Sequence, residues 1–256
     1  MKSGIIGEAQ LINTKIDYGH GENNVIYCDN THGKVILRDS KILFCGSNSL
    51  IYIRGNGKQQ TICTIALYDN STVHIGEKVS FHKDKSFKIL GGEETTVFIG
   101  DDCLFSLGIT IRPHDGHLIY SIEDHKRINQ GASIFIGDHV WLGQDVLVGK
   151  GSVIGSGSVI GAKSFLSGKT YESNCIYAGV PAKLLKRDVF FDKLAAKTLK
   201  GDDPRLHEHP GDEWIYDQKG SQLHKVILDY LDKEKSVEKR IDFLKKIPRS
   251  KNRFSI

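Results

Sequence analysis

Histidine is the side chain whose ordinary pKa lies closest to neutrality, and this chain holds 11 of them. Two stand close together in the stretch IRPHDGHLIYSIEDHKRIN: His114 and His117, with Asp115 between them and His125 further along. A neutral imidazole can take the proton from a weak nucleophile such as a hydroxyl. An acceptor at its other ring nitrogen fixes the tautomer, and Asp115, Glu123 and Asp124 are all candidates for that role. The plain alternative is a histidine exposed on a surface loop. The other side chains with chemistry of their own point away from redox or metal work. Cys28, Cys45, Cys63, Cys103 and Cys175 are odd in number, far apart and never spaced as CxxC. They predict reduced packing thiols in a cytoplasmic protein, with no bound metal and no tightly bound cofactor.

The elements that must position these residues announce themselves as a repeat. From Ile136 the sequence divides without a gap into IGDHVW, LGQDVL, VGKGSV, IGSGSV, IGAKSF, LSGKTY, ESNCIY and AGVPAK. The first place is aliphatic in six consecutive hexads, and the fifth is small or β-branched: Val140, Val146, Ser152, Ser158, Ser164 and Thr170. Neither a helix nor a single strand repeats every six residues. A short strand plus a turn does, and three such units close one triangular coil that buries its interior against the next coil. The first and fifth places then point inward and the sixth, which includes Trp141, points out. IGEKVS at residues 75–80 and the three hexads from Ile99 to Gly116 share the pattern. The expected fold is therefore all-β, a left-handed parallel β-helix over residues 1–187. Irregular coils span 24–98, a polar extruded loop spans 117–133 and regular coils span 134–183.

Beyond Lys183 the periodicity changes. DVFFDKLAAKTLK predicts a short helix with Asp188 near its N-cap. Leu223, Val226, Ile227, Tyr230 and Leu231, then Val237, Ile241 and Leu244, fall at helical spacing. Residues 188–256 are thus expected to form a helical C-terminal extension. Residues 1–183 carry 18 basic and 18 acidic side chains and residues 184–256 carry 17 and 13, so the net charge of +4 sits in the extension, ending in KKIPRSKNR. Such an end suits a solvated tail, or an anionic partner. The N-terminal MKSGIIGEAQLINTK lacks the apolar core of a signal peptide. No stretch approaches the roughly 18 apolar residues of a spanning helix, and no nucleic-acid partner is expected.

The hexads, the segment HLIYSIEDHKRIN, the run IGDHVWLG and the ending AGVPAK together resemble the hexapeptide-repeat acyltransferases. Among these they are most similar to the polysaccharide O-acetyltransferases, including polysialic acid capsule enzymes, and more distantly to maltose and galactoside acetyltransferases. The likeness covers residues 99–187 well and the N-terminal coils loosely; the extension has no assigned counterpart. The resemblance implies a homotrimer that transfers acetyl from acetyl-CoA, held between adjacent prisms, to a carbohydrate hydroxyl, with a polysaccharide as acceptor. It implies His117 as the base, from its place behind Asp115 and Gly116, with His114 as rival and His125 and His139 as loop and solvent-facing residues. It places Trp141 at the active site, with an oxyanion donor among the backbone N–H groups of Trp141–Gly143. Gly143, Gly161, Ala162 and Ser167 would line the pantetheine arm, and Ala178, Gly179 and Pro181 would close the groove near the adenine. Lys163 and Lys183 would meet phosphates. Lys83, Lys85, Lys88, Arg112, Lys126 and Arg127 flank this site and suit an anionic polymer. The competing readings are a small acceptor (a free sugar, an amino sugar or serine), a non-catalytic β-helix scaffold, and a γ-type carbonic anhydrase. The last needs three histidines on a metal; His114, His117 and His139 lack that family's spacing.

Overall fold

The structure is a computed structural model that describes residues 2–217 and 220–256. Short parallel strands stack into a left-handed β-helix with three walls, visited in turn by every coil. The first wall has eight strands, from Gly4–Ile6 to Thr170–Tyr171, and the third has seven, from Lys15–Asp17 to Phe165–Leu166. The second wall is divided. Ala9–Ile12, Val35–Arg38 and Gln60–Thr61 form one sheet, and a separate six-stranded sheet starts at Ser80–Phe81. The coils therefore begin at residue 4 rather than near residue 24.

Register shows why the early coils hide their period. Ile136 lies opposite Ile154, Leu142 opposite Ile160 and Val148 opposite Leu166, so each of these coils is three hexads long. In the N-terminal half Ile26 faces Ile51 and Ile51 faces Val73, so those coils are longer and unequal. The surplus residues bulge at the corners, where the wall pattern is not interrupted. The regular run also ends sooner than the sequence suggests. Ile154 faces Tyr171 and Ile160 faces Tyr177, one position short of the regular spacing. The frame slips between Leu166 and Tyr171, so Tyr171 and Tyr177 point inward and Thr170, expected inside, is exposed. The last strand, Ala182–Lys186, folds back antiparallel on Ile176–Gly179.

In most hexads the fourth place turns the corner with positive φ. Glycine fills it at Gly151 and Gly157, whereas Asp102, His139, Asp145 and Lys163 adopt the same left-handed conformation with a side chain. Inside the prism, Ile136, Leu142, Val148, Ile154, Ile160 and Leu166 are fully buried, as their hexad phase requires.

The outward side of the first wall is buried too. Tyr27, Tyr52, His74, Phe98 and Phe135 occupy one column, and each ring stacks on the next at centroid distances of 5.0, 5.4, 4.2 and 4.9 Å. Helices α1 (Leu223–Lys233) and α2 (Val237–Lys245) cover this wall through Ile227, Leu231, Ile241 and Leu244. Phe254 meets Phe98 and Phe135 edge-on. Val226, at helical spacing in the sequence, instead faces out. Residues 188–200 form no α-helix: Asp188 has positive φ and one short 3₁₀ turn occurs at Ala196–Thr198. Local propensity yields there to packing, because Phe191 must reach His139.

The basic end is no solvated tail. Arg253 is 4% exposed; its Nε donates to Asp138 Oδ2 at 2.7 Å and its Nη2 to Asp101 Oδ2 at 2.5 Å. Buried Arg240 donates to Thr72 Oγ1 at 2.7 Å and to the Asn48 carbonyl. Arg249 pairs with Asp29 and Glu77. These pairs tie residues 223–256 to the coils, so the extension shares a core with the prism rather than standing apart from it. Replacing Arg253 with Ala leaves Asp138 buried without its partner, a loss of about 3–5 kcal/mol. The expected outcome is a clearly lower midpoint in thermal and urea unfolding at fixed protein concentration, read against an exposed control such as Lys225→Ala.

Candidate active site

The third-wall strand Thr110–Arg112 pairs directly with Leu147–Gly149, although the chain between them is far longer than the three-hexad coil from Leu147 to Phe165. A wall cannot absorb the difference, so the extra chain leaves at the corner between the third and first walls. The Ala132 N–H donates to the Pro113 carbonyl at 2.9 Å and closes the neck of this arm. Beyond the neck the chain makes a small hairpin, bridged at Tyr120 and Arg127 and by Ile128 N–H to Ile119 O at 2.9 Å. The arm is less polar than the sequence implied: Leu118, Ile119, Tyr120, Ile122 and Ile128 are exposed, Ile122 by 92%.

His117 sits at the base of the arm. Buried Asn129 pins it from the opposite strand, with Nδ2 donating to the His117 carbonyl at 2.7 Å and to Asp115 Oδ2 at 3.0 Å. Asn129 Oδ1 in turn accepts from the Ile119 N–H at 2.9 Å and from Arg127 Nε at 3.2 Å. Lys150, one coil on, donates to Asp115 Oδ2 at 2.5 Å and holds that carboxyl below the usual carboxylate range. Glu93, one coil back, takes Arg127 Nη2 on both oxygens at 2.7 Å and the Gly131 N–H at 2.9 Å. The arm is thus latched to the coils on either side. Asp115, a candidate to orient His117, is committed to these latches.

Beneath the arm lies a cleft of about 550 Å³, lined by Tyr68, Leu90, Glu93, Arg112, His114 and His117. The two histidines differ within it. His117 is exposed. His114 is half-buried, hydrogen-bonds the Leu90 backbone and has its Nε2 sealed from solvent without a partner. Desolvation, with help from Arg112, pushes its pKa down. Arg112 donates to the Asp115 carbonyl at 3.2 Å.

Trp141 opens the strand Trp141–Leu142 on the second wall, between Leu104 and Val159. It points outward as its hexad place requires and is 36% exposed, with Nε1 donating to Ser106 Oγ at 3.3 Å. His139 does not face solvent. It is fully buried, sandwiched between Phe191 and Trp214 at 4.1 and 3.6 Å, with Nδ1 on Asp102 at 2.8 Å and Nε2 on the Phe191 carbonyl at 2.8 Å. His114, His117 and His139 are not brought together, and no group of three potential ligands gathers among the described residues.

The fold and sequence have relatives among known proteins. The family described as bacterial transferase hexapeptide (six repeats) matches residues 133–168. A polysialic acid O-acetyltransferase of Neisseria meningitidis is 35% identical over 206 residues, which cover 73% of this chain and 94% of that protein. A second protein of that name, from Escherichia coli O1:K1 / APEC, is 32% identical over 158 residues, 62% of this chain and half of the relative. The crystal structure of the polySia specific acetyltransferase NeuO superposes with a TM-score of 0.68 at 32% identity, covering 80% of this chain and 92% of that one. The chain belongs to the hexapeptide-repeat O-acetyltransferases.

Within this O-acetyltransferase the residues expected around the cosubstrate divide into two sets. Gly143, Gly161 and Ala178 stack at the corner between the second and third walls, with Gly143 N–H donating to Ile160 O and Gly161 N–H to Tyr177 O, both at 2.8 Å. A Cβ on Gly143 would lie 2.7 Å from the Ala162 nitrogen, and one on Gly161 2.8 Å from the Ala178 Cβ, so both glycines serve close stacking of coils. Ala162, Lys163, Gly179, Pro181 and Lys183 continue along that corner with exposed surface, although Lys163 leans towards Asp145 at 3.5 Å. Ser167 stands apart on the His117 corner, where its Oγ donates to the Lys150 carbonyl. The N–H groups of Trp141 and Gly143, expected to hold an oxyanion, already donate to Ser158 O and Ile160 O. Of the basic residues expected to face a polymer, Lys85, Lys126 and Arg127 are in ion pairs with Asp39, Asp124 and Glu93.

Asn129, Lys150 and Glu93 fasten the root of the arm, and the sequence did not reveal them. Each acts on a group 12 to 38 residues away, and nothing in the local pattern marks them. Asn129→Ala frees the base of the arm, and a misplacement of about 1 Å costs up to about 100-fold. The expected outcome is a kcat lower by roughly 10- to 100-fold in an acetyl-transfer assay.

Proposed function

We propose that this O-acetyltransferase moves the acetyl group of acetyl-CoA to a hydroxyl of an anionic surface polysaccharide, polysialic acid or a close relative, with His117 as general base. The carrying observation is the exposed His117, held by Asn129 at the rim of a cleft that also presents Arg112. The identity of the relative that this chain spans almost end to end supports the choice of acceptor. The hydroxyl oxygen attacks the thioester carbonyl as the His117 imidazole takes its proton. The tetrahedral intermediate expels the CoA thiolate, and the imidazolium returns the proton to it, so the base is restored. His114 is the weaker candidate because its ring nitrogens are engaged or sealed and desolvation favours its neutral, buried state.

His117 and Trp141 stand on different walls of one protomer, so a site that uses both is built between two copies of the chain. Two further observations support a homotrimer. The first wall is already covered by α1 and α2, which leaves the second and third walls for contact. The arm exposes an apolar patch that suits a neighbouring subunit. Acetyl-CoA then lies along the corner of Ala162, Lys163, Gly179 and Lys183, facing the partner's arm. No helix among the described residues is long and apolar enough to cross a membrane. The cysteines are free thiols, all but Cys45 buried. Buried unbridged thiols suit a reducing compartment, which supports reading the enzyme as cytoplasmic.

Incubation with acetyl-CoA and polysialic acid should release thiol and produce O-acetylated residues visible by NMR; turnover only with small sugars would move the acceptor assignment. His117→Ala should lower kcat by about 10²–10⁴-fold with acetyl-CoA affinity retained, and the acidic limb of the pH profile should disappear. An active variant with that limb intact would place the base elsewhere. Ile122→Asp should shift the light-scattering mass at micromolar concentration from trimer to monomer, with activity falling in parallel.

A further inference from the structure

The second wall is interrupted at one place. Gln60–Thr61 pairs only with Val35–Arg38, and Ser80–Phe81 pairs only with Leu104–Phe105, so neighbouring coils leave two sheet edges facing each other. A cleft of about 530 Å³ opens there. Unpaired strand edges present backbone donors and acceptors, and the side chains around them are of three kinds. Lys58, Lys78, Lys83 and Lys193 bring positive charge; Asn56, Gln59 and Gln60 bring amides; Phe81, packed against Phe87 and Phe105, leaves part of its ring exposed. The one carboxylate in the lining, Asp102, is engaged by Lys193 at 3.0 Å and His139 at 2.8 Å. Among the described residues Lys58, Lys78 and Lys83 have no carboxylate within ion-pair distance, unlike Lys85 and Lys126.

We infer that this cleft is a subsite for an anionic carbohydrate, the stretch of acceptor polymer next to the residue being acetylated. The inference rests on the proposed acceptor class. Lysines without partners suit sugar carboxylates, amides suit hydroxyls, and the exposed part of an aromatic ring suits the C–H side of a pyranose ring. Position supplies the rest. Ser80, in the lining, is in register with Leu104, and Leu104 with Trp141. Adjacent strands lie about 4.8 Å apart, so the cleft is two rungs, about 10 Å, from Trp141 on the same wall. One or two sugar units of a chain placed against Trp141 reach it. Binding energy gathered there, remote from the reacting hydroxyl, positions the polymer for attack.

The test is direct binding of polysialic acid of defined length to the intact protein, alongside calorimetric titration with CoA. Lys58→Glu/Lys83→Glu alters two exposed side chains outside the core. Reversing two attractions should raise the polymer Kd about 10-fold or more and flatten its salt dependence. Lys225→Glu/Lys246→Glu carries the same charge change on the covered first wall and should shift that Kd far less. Equal losses in the two variants would show general charge attraction and overturn the inference. Unaltered polymer affinity in the cleft variant would overturn it too, as would a loss confined to CoA, which would assign the lysines to nucleotide phosphates. Failure of the unaltered protein to bind or acetylate the polymer would instead remove the proposed acceptor.

Discussion

Parallel strands stacked in register bring the same hexad place of successive coils into one column, and a column tolerates no odd residue. A single unmatched position inside a wall would turn every later side chain from core to solvent. Every departure from the period of six is therefore forced to a corner. The early coils discharge their extra residues there, the frame slip before Tyr171 occurs there, and the arm bearing His117 leaves there. The site is a product of this rule. A rigid prism offers flat walls and three corners, and the chain that stands out from it is chain the walls cannot hold. Asn129, Lys150 and Glu93 then make that free chain rigid again at its root.

The three walls have different fates. The first is sealed by the chain's own helices over a ladder of stacked rings, with Arg240 and Arg253 buried at its margins against carbonyls and carboxylates. The second is torn open between Gln60–Thr61 and Ser80–Phe81 and carries both a lysine-lined cleft and Trp141. The third gives off the arm at its corner with the first and carries its own cleft. Covering one wall from within leaves the other two, with their clefts, Trp141 and the arm, to face other molecules.

The prism and its interior were legible because a period of six over many residues has no competing explanation, and the outward place of Trp141 followed from phase alone. His117 was legible as the histidine where the rhythm breaks. What stayed hidden depended on partners far away in the chain. His139 occupies a corner place that is normally wet, and it is buried only by Phe191 and Trp214, which the chain supplies after the last coil. Tyr52, His74, Phe98 and Phe135 alternate with core residues as solvent-facing side chains would. They nevertheless form a second core, beneath helices that the chain makes only after the prism is complete. Arg253 looks like a tail charge until Asp101 and Asp138 meet it. Periodicity reports which side of a strand faces the prism; it is silent on what later covers the other side.

The ring ladder of the first wall has a consequence for biogenesis. Its rings belong to coils that emerge from the ribosome early, whereas the helices and Phe254 that cover them follow every coil in the chain. Domains fold largely in the order of synthesis, at about 5–20 residues per second, so a nascent prism presents a greasy aromatic strip for several seconds before its cover arrives. A translational pause or truncation upstream of Leu223 prolongs that exposure. Completion of the segment from Leu223 to Ile256 is the step that seals the strip.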